Sequence, residues 1–496
     1  MTSRLDGAPT GLAGSLPVSR SSSRRAEGTA FFVAAVLVIG AFATATLDRV
    51  GAPEGFVRAL GPALALAVSA GAGLAARNAD LPSFLAAGRR VGAPYGGLAL
   101  VALVCGLTFC LYGPDPAAGD PPWQATAFGV GAGAFVLGPF LRRFGATWRS
   151  DVIATRFPAW PVRLLSGLAI FVAAALTAYA GFRGATDVVG RLLAPDRASA
   201  EIIVAAALFL SAIPGGLAGL VAAACACAGA VIAMAGAAVI LRGGFVPPAS
   251  LWPGAASADL ATLAAAAAAA GGFFALDAPA IASRSPRVAR RGARRAFVLC
   301  VLLAAALFGV APRASDIPVS EAAIDSLIGG AALAACLALA SVGLHGSSRA
   351  FGLALGAPPR PFRALASVRL ARMRGAQILV LAGCVAADAL LAVEPRTALV
   401  AAMALSLAFT IPLLALALFR DAGSISAGAA LAAGLAALVY RREAILRPES
   451  AGALLSVALA AAAAAFAVGA LVSIVMPSRA QPARPGADPF SDRSGG

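Results

Sequence analysis

Charge is scarce in this chain. Only 12% of its 496 residues are charged, there is no lysine, and His345 is the single histidine. So thin a set assembles no nucleophile–base constellation, no phosphate loop and no metal-ligand cluster. An enzymatic role therefore has no support, and no cofactor is implied. Period-2 alternation of apolar and polar residues is also missing, which excludes a membrane β-barrel. The seven cysteines (Cys105, Cys110, Cys225, Cys227, Cys300, Cys336 and Cys384) all lie inside apolar runs. They read as small buried hydrophobes and not as a disulfide or metal framework. Cys225 and Cys227 are two apart and point to different sides of a helix. No convincing cleavage site follows the first apolar run, which ends in Leu47-Asp48-Arg49, so a retained helix is expected.

What the chain has is apolar length. Hydrophobic residues make up 60% of it, and the mean hydropathy is +0.86. A hydrocarbon core about 30 Å thick needs roughly 20 apolar residues of helix. About fourteen runs approach that length: 29–46, 57–76, 91–112, 124–141, 161–181, 199–213, 218–241, 259–276, 296–313, 324–353, 376–394, 397–419, 422–440 and 451–476. They are rich in Ala, Leu and Val, and only self-satisfied helices or closed barrels survive in lipid. The expectation is an all-α polytopic membrane protein. Polar ends at 1–28 and 477–496 are expected to be disordered.

The formal charge of +16 tempts a nucleic-acid reading. The arginines instead sit in loops beside apolar spans, the footprint of membrane topology, so the expected partners are the lipid bilayer and no nucleic acid. With the N-terminus in the cytoplasm, the cytoplasmic loops hold Arg77, Arg89 and Arg90; Arg142, Arg143, Arg149 and Arg156; Arg284 to Arg295; and Arg360 to Arg374. Two stretches break the alternation, Arg183–Arg191–Arg197 and Arg441–Arg442–Arg447. An even span count returns the C-terminus to the same side. The expected location is a bacterial inner membrane, with both termini cytoplasmic.

Several loops carry more specific information. Pro82-Ser83-Phe84-Leu85-Ala86-Ala87-Gly88-Arg89-Arg90-Val91-Gly92 resembles the segment "YYxAGRxxG" that precedes the first core helix of the sodium:solute symporter family. Thr147 to Phe157, with Asp151 and Arg156-Phe157, resembles that family's "T-x-x-D-x-x-x-x-R-F/Y" loop. Pro214-Gly215-Gly216-Leu217 is similar to its "GG-[ML]" turn. Ala278-Pro279-Ala280-Ile281-Ala282-Ser283-Arg284 is similar to a loop of the acetate-permease branch. Asp421-Ala422-Gly423 through Gly428 resembles its C-terminal hairpin.

The resemblance implies a LeuT-type fold: two inverted five-helix repeats, with solute and ion bound near the midplane at broken helices. The chain then divides into two additional helices (29–77), a first repeat (78–241), a second repeat (242–420) and two C-terminal helices (421–476). Gly106 in the first core helix and Gly271-Gly272 in the sixth are candidate breaks, although small residues also serve close packing. The implied solute-facing positions are Cys105, Gly106, Thr108 and Gly181. The implied sodium ligands are the carbonyls of Val101, Val104 and Ala338 and the hydroxyl of Ser341. The family pairs two hydroxyls at the last position; here the pair is Ala340-Ser341, so one is lost. The third and fifth core helices also lack the usual polar side chains.

Among other polar groups inside the spans, Asp388 is a candidate proton relay or faces a wet crevice at the outer interface. Asp277 is expected to pair with Arg284, and His345 to be a hydrogen-bonded structural residue. Two functions remain open. One is a cation (sodium) symporter of a small organic solute, with a monocarboxylate such as acetate suggested by the branch. The other is a transport-inactive relative serving as an accessory or sensing membrane subunit.

Overall fold

The computed structural model describes residues 20–77, 81–113, 123–143, 148–193, 196–241, 260–308, 320–354, 366–419, 421–441 and 450–476. The expected tail 477–496 and the first nineteen residues lie outside this set. Helices occupy every one of the apolar runs: α1 (Arg20–Arg49), α2 (Glu54–Ala75), α3 (Leu81–Ala86), α4 (Ala93–Tyr112), α5 (Trp123–Arg143), α6 (Arg149–Arg156), α7 (Trp160–Leu192), α8 (Arg197–Ala212), α9 (Gly216–Leu241), α10 (Leu260–Gly271), α11 (Asp277–Ala282), α12 (Pro286–Phe308), α13 (Glu321–Ala354), α14 (Ala366–Leu391), α15 (Pro395–Leu405), α16 (Ile411–Leu416), α17 (Ser424–Tyr440) and α18 (Ala451–Val475). α1 starts at Arg20, inside the stretch expected to be disordered. Among the described residues nine helices are long and apolar enough to cross a membrane, or ten if the bent pair α10–α11 is one span. The chain is a multi-pass helical membrane protein.

Local chemistry sets several boundaries. α4 begins behind Gly92 with Pro94 in its first turn and stops at Gly113, where φ is +60°. Asp196 caps α8 by accepting from the Ser199 amide at 2.9 Å, and Ser450 caps α18 from the Ala453 amide at 3.1 Å. The Ser199 amide, and then its hydroxyl, hold the Asp196 carboxyl below its ordinary range. A π turn over 406–410 separates α15 from α16, just ahead of Pro412. A proline without an N–H explains such a local change of register.

The axis of the molecule is α13. In its apolar window 89% of residues are buried, against 33% in α2, α14 and α18. Lipid supplies no hydrophobic drive for helix association, so close van der Waals contact must do it. Glycines provide that contact between α7 and α13. A side chain at Gly181 would sit 2.5 Å from the Ala340 nitrogen, and one at Gly343 would strike the Ala178 backbone.

The two candidate helix breaks have opposite outcomes. α10 ends at Gly271 and turns by 40° into α11. α4 instead runs unbroken through Gly106, where a side chain would strike the Ala335 carbonyl of α13. Gly106 is therefore a packing glycine, and the expected interruption of the first core helix is absent from the described structure.

Candidate functional site

The loops that carry the family resemblance fold into one cap over the end of the core. Residues 87–89 turn through three positive φ values, of which Gly88 (+57°) is the natural occupant. That turn delivers Val91 to a parallel bridge with Ser283: the Val91 amide donates to Ala282 at 3.1 Å, and the Arg284 amide to Val91 at 3.3 Å. Arg284 donates to the Arg90 carbonyl at 3.0 Å, and Arg142 to the Ser283 carbonyl at 2.8 Å. Phe84 is fully buried beneath the Pro214-Gly215-Gly216 turn, where Gly216 has φ +55° and no room for a side chain. Arg374 closes this corner, donating to the Pro214 carbonyl at 2.9 Å and lying over the Phe84 ring at 5.9 Å.

α6 staples the cap to both sides of the core. The Arg149 guanidinium, fully buried, meets the Asp277 carboxylate at 2.5 Å and donates to the Gly272 carbonyl at 2.7 Å. The carbonyl freed by the break between α10 and α11 is thus occupied by a resident cation. Asp151 on the same short helix accepts from Arg349 of α13 at 3.2 Å. Arg156 donates to the Phe419 carbonyl at 2.6 Å; burial lowers its pKa, and nearby Asp421 opposes that shift. Arg149 thus replaces the expected Arg284 as the partner of Asp277. Arg284 is exposed and donates to Arg90, while α6 brings Arg149 to Asp277 on α11.

His345 is packed, not hydrogen-bonded. Its ring lies 5.7 Å from Trp148 and 5.8 Å from Phe84, and neither nitrogen has a hydrogen-bond partner among the described residues. One turn earlier, the Ser341 hydroxyl is also buried without a partner. These two share a face of α13.

The implied solute and ion positions fall on three helices, α4, α7 and α13. Val101 and Ala338 are buried; Val104, Cys105 and Thr108 are half-buried on one face of α4. The Thr108 hydroxyl donates to the Val104 carbonyl at 2.9 Å, so that carbonyl serves its own helix. Gly181 packs against the α13 backbone at Ala340 and Cys336. Ala340, which stands where the family has a hydroxyl, lies at this close α7–α13 approach. Near these positions the Cys110 and Cys336 sulfurs touch at 3.9 Å.

At the opposite end of the core Asp388 is buried, and both its oxygens are engaged. Arg183 reaches one at 2.7 Å and Arg197 the other at 2.7 Å, while the Tyr179 hydroxyl shares its single hydrogen between the Val393 carbonyl at 3.0 Å and the Asp388 carboxylate at 3.3 Å. Asp388 ties α7, α8 and α14 together. Arg183 and Arg197 were two of the exceptions to the arginine alternation, and this cluster accounts for them. They pair with a carboxylate inside the protein. Sequence reasoning missed Arg149, Tyr179, Arg183 and Arg349 as site residues. Only the misfit of Arg183 and Arg197 in the alternation was a usable signal.

Neither a family model nor a curated protein matches the chain by sequence. In structure it is similar to a Na+-coupled sialic acid symporter in its substrate-bound outward-open state. That likeness has a TM-score of 0.67 and 14% identity over 86% of this chain and 99% of the other. It is also similar to Mhp1, a nucleobase-cation-symport-1 family transporter, in a closed conformation with bromovinylhydantoin bound (TM-score 0.49, 13% identity, 80% and 96% covered). Matching the first of these over nearly its whole length, the chain has the LeuT-type fold.

Proposed function

We propose that this protein is a secondary active transporter, a sodium-coupled symporter of a small organic solute, in a bacterial inner membrane. The observation that carries the reading is the break at Gly271–Gly272 within a LeuT-type fold. A helix interrupted inside the protein offers backbone carbonyls and helix ends to a bound solute or ion, which an unbroken helix cannot do. The solute class to test first is a small monocarboxylate such as acetate, suggested by the acetate-permease-like loops; the similar sialic acid symporter also carries a carboxylic acid. Cys105 and Thr108 are the α4 side chains that face the solute, with Gly106 and Gly181 shaping the path through close packing. The ion ligands are the carbonyls of Val101, Val104 and Ala338 and the hydroxyl of Ser341. Ser341 supports this set because its oxygen is buried and unpaired among the described residues. Loading the ion requires α4 to open between Val101 and Gly106. The chain crosses fourteen times with both termini cytoplasmic, so the cap and the 284–295 arginines face the cytoplasm.

A second reading, a transport-inactive relative acting as an accessory or sensing subunit, is favoured by one observation. Arg149 already holds the Gly272 carbonyl, and α4 is continuous. Ser341→Ala separates the two. Removal of a hydrogen-bond-sized contact of about 1 kcal/mol raises the sodium concentration for half-maximal uptake about fivefold. Uptake with unchanged sodium dependence removes Ser341 from the ion site, and folded protein without uptake under any gradient selects the inactive relative.

A further inference from the structure

α12 carries a feature that neither the core packing nor the transport reading uses. Its outward face changes character within one turn. Arg287, Arg290, Arg291, Arg294 and Arg295 are all exposed, and on the same face they are followed by exposed Phe297, Val298, Val301 and Leu302. At 100° per residue these positions fall within an arc of roughly 160°. Ala289, Gly292, Ala293 and Ala296 fill the opposite side and are buried. The arginines and the lipid-facing apolar side chains therefore form one stripe, and the step from Arg295 to Phe297 marks the edge of the hydrocarbon. From Arg287 to Arg295 the helix rises about 12 Å, enough to traverse the headgroup layer, which is about 5–8 Å deep in each leaflet.

Among the described residues these cations have no carboxylate to neutralise them. None of the five makes an ion pair among the described residues, and α4, α5 and α9, which pack on α12, contain no Asp or Glu within their helical bounds. α11 contributes only Asp277, which is already held by Arg149. α5 adds a further exposed arginine, Arg143, at its end, and Phe135 of α5 stacks edge-on against Phe297 at 6.5 Å. A topology signal needs only a local excess of positive charge in a loop. Five guanidiniums in register above a lipid-facing stripe present a surface matched to phosphates fixed at the membrane plane.

We propose that the Arg287–Arg295 face of α12 is a binding site for anionic phospholipid headgroups, with acyl chains lying along Phe297, Val298, Val301 and Leu302. The guanidiniums donate to the phosphate, and the chains extend the site into the bilayer, so a diacyl phosphoglycerol binds where free phosphate does not. The proposal needs only the membrane-spanning fold and stands whether or not the protein transports.

The test uses the full chain in detergent and follows lipid retention by native mass spectrometry. The probes are phosphatidylglycerol, phosphatidylcholine of the same chain length, and inorganic phosphate. Phosphatidylglycerol is expected to be retained over phosphatidylcholine, with affinity falling as salt rises from 0.05 to about 0.5 M. Each exposed arginine near the surface contributes about fivefold, so R291Q/R294Q lowers affinity about 25-fold, and replacing all five with Gln lowers it by at least about a hundredfold. Should the fivefold variant fail to insert, the double variant and the salt titration of the native protein decide. R58Q on α2, whose partner is Glu54, leaves retention unchanged. Equal retention of the two lipids, salt-independent binding, undiminished binding by the double variant, or equal protection by inorganic phosphate would each overturn the site.

Discussion

Replacing Arg149 with Met should destabilise the protein more than any substitution on its surface. The guanidinium is fully inaccessible and its partner Asp277 is 1% exposed, so no water is at hand to take over either charge. Breaking a buried pair by removing one member costs about 3–5 kcal/mol, because the other charge is left uncompensated. The Gly272 carbonyl also loses its donor, for about 1–3 kcal/mol more. Asp277→Leu should cost a similar 3–5 kcal/mol by stranding Arg149. The double variant Arg149→Met/Asp277→Leu removes both charges together and should recover most of the loss, retaining only the deficit at Gly272. Membrane proteins of this size unfold irreversibly, so the suitable readout is the unfolding half-life in detergent at fixed temperature. A loss of 3–5 kcal/mol corresponds to roughly 150- to 5,000-fold in the folded-to-unfolded ratio. Even if a third of it appears in the unfolding rate, each single variant unfolds several-fold faster. Additive losses in the double variant would refute the coupling, and so would a single-variant effect below about 1 kcal/mol.

Three further outcomes follow from other sites. Gly216→Ala forces a side chain into a left-handed backbone against Phe84. It should cost about 1–2 kcal/mol in backbone strain and about 1–3 kcal/mol in overpacking, measured as reduced thermal stability; an unchanged melting profile refutes that contact. Asp388→Asn should destabilise by about 3 kcal/mol, at the low end because Arg197 is 45% exposed and can turn to water. Its uptake per folded molecule should be unchanged, whereas a proton relay would lose uptake at native stability. A reporter fused at residue 290 should read cytoplasmic, and an external reading would overturn the fourteen-crossing topology.

Much of the fold was written in local pattern. Apolar length located every long helix, because in lipid each helix satisfies its own backbone and needs no partner to exist. The break at Gly271–Gly272 was visible as two adjacent glycines. Gly106 looked equivalent, yet α4 stays whole, since a glycine that admits a neighbouring backbone and one that ends a helix read alike in sequence. The site was less legible because its contacts are long-range. Arg149 meets Asp277 across 128 positions, and Arg183 meets Asp388 across 205. Such pairs depend on how helices dock. The quoted loop motifs also carry a different message from the one their family suggests. Phe84 with Gly216, Val91 with Ser283 and Arg149 with Asp277 build the cap of the fold, so their presence reports architecture before chemistry.

Uptake by purified protein in sealed proteoliposomes tests the central claim most directly. Labelled acetate should be offered first and sialic acid second, each with an inward sodium gradient and with the gradient collapsed by an ionophore. Coupled symport predicts accumulation above equilibrium that disappears when the gradient is collapsed and weakens about fivefold in apparent sodium affinity in Ser341→Ala. Folded, correctly oriented protein that accumulates no solute under sodium or proton gradients would contradict the account and leave the Arg149-occupied helix break as the mark of a transport-inactive relative.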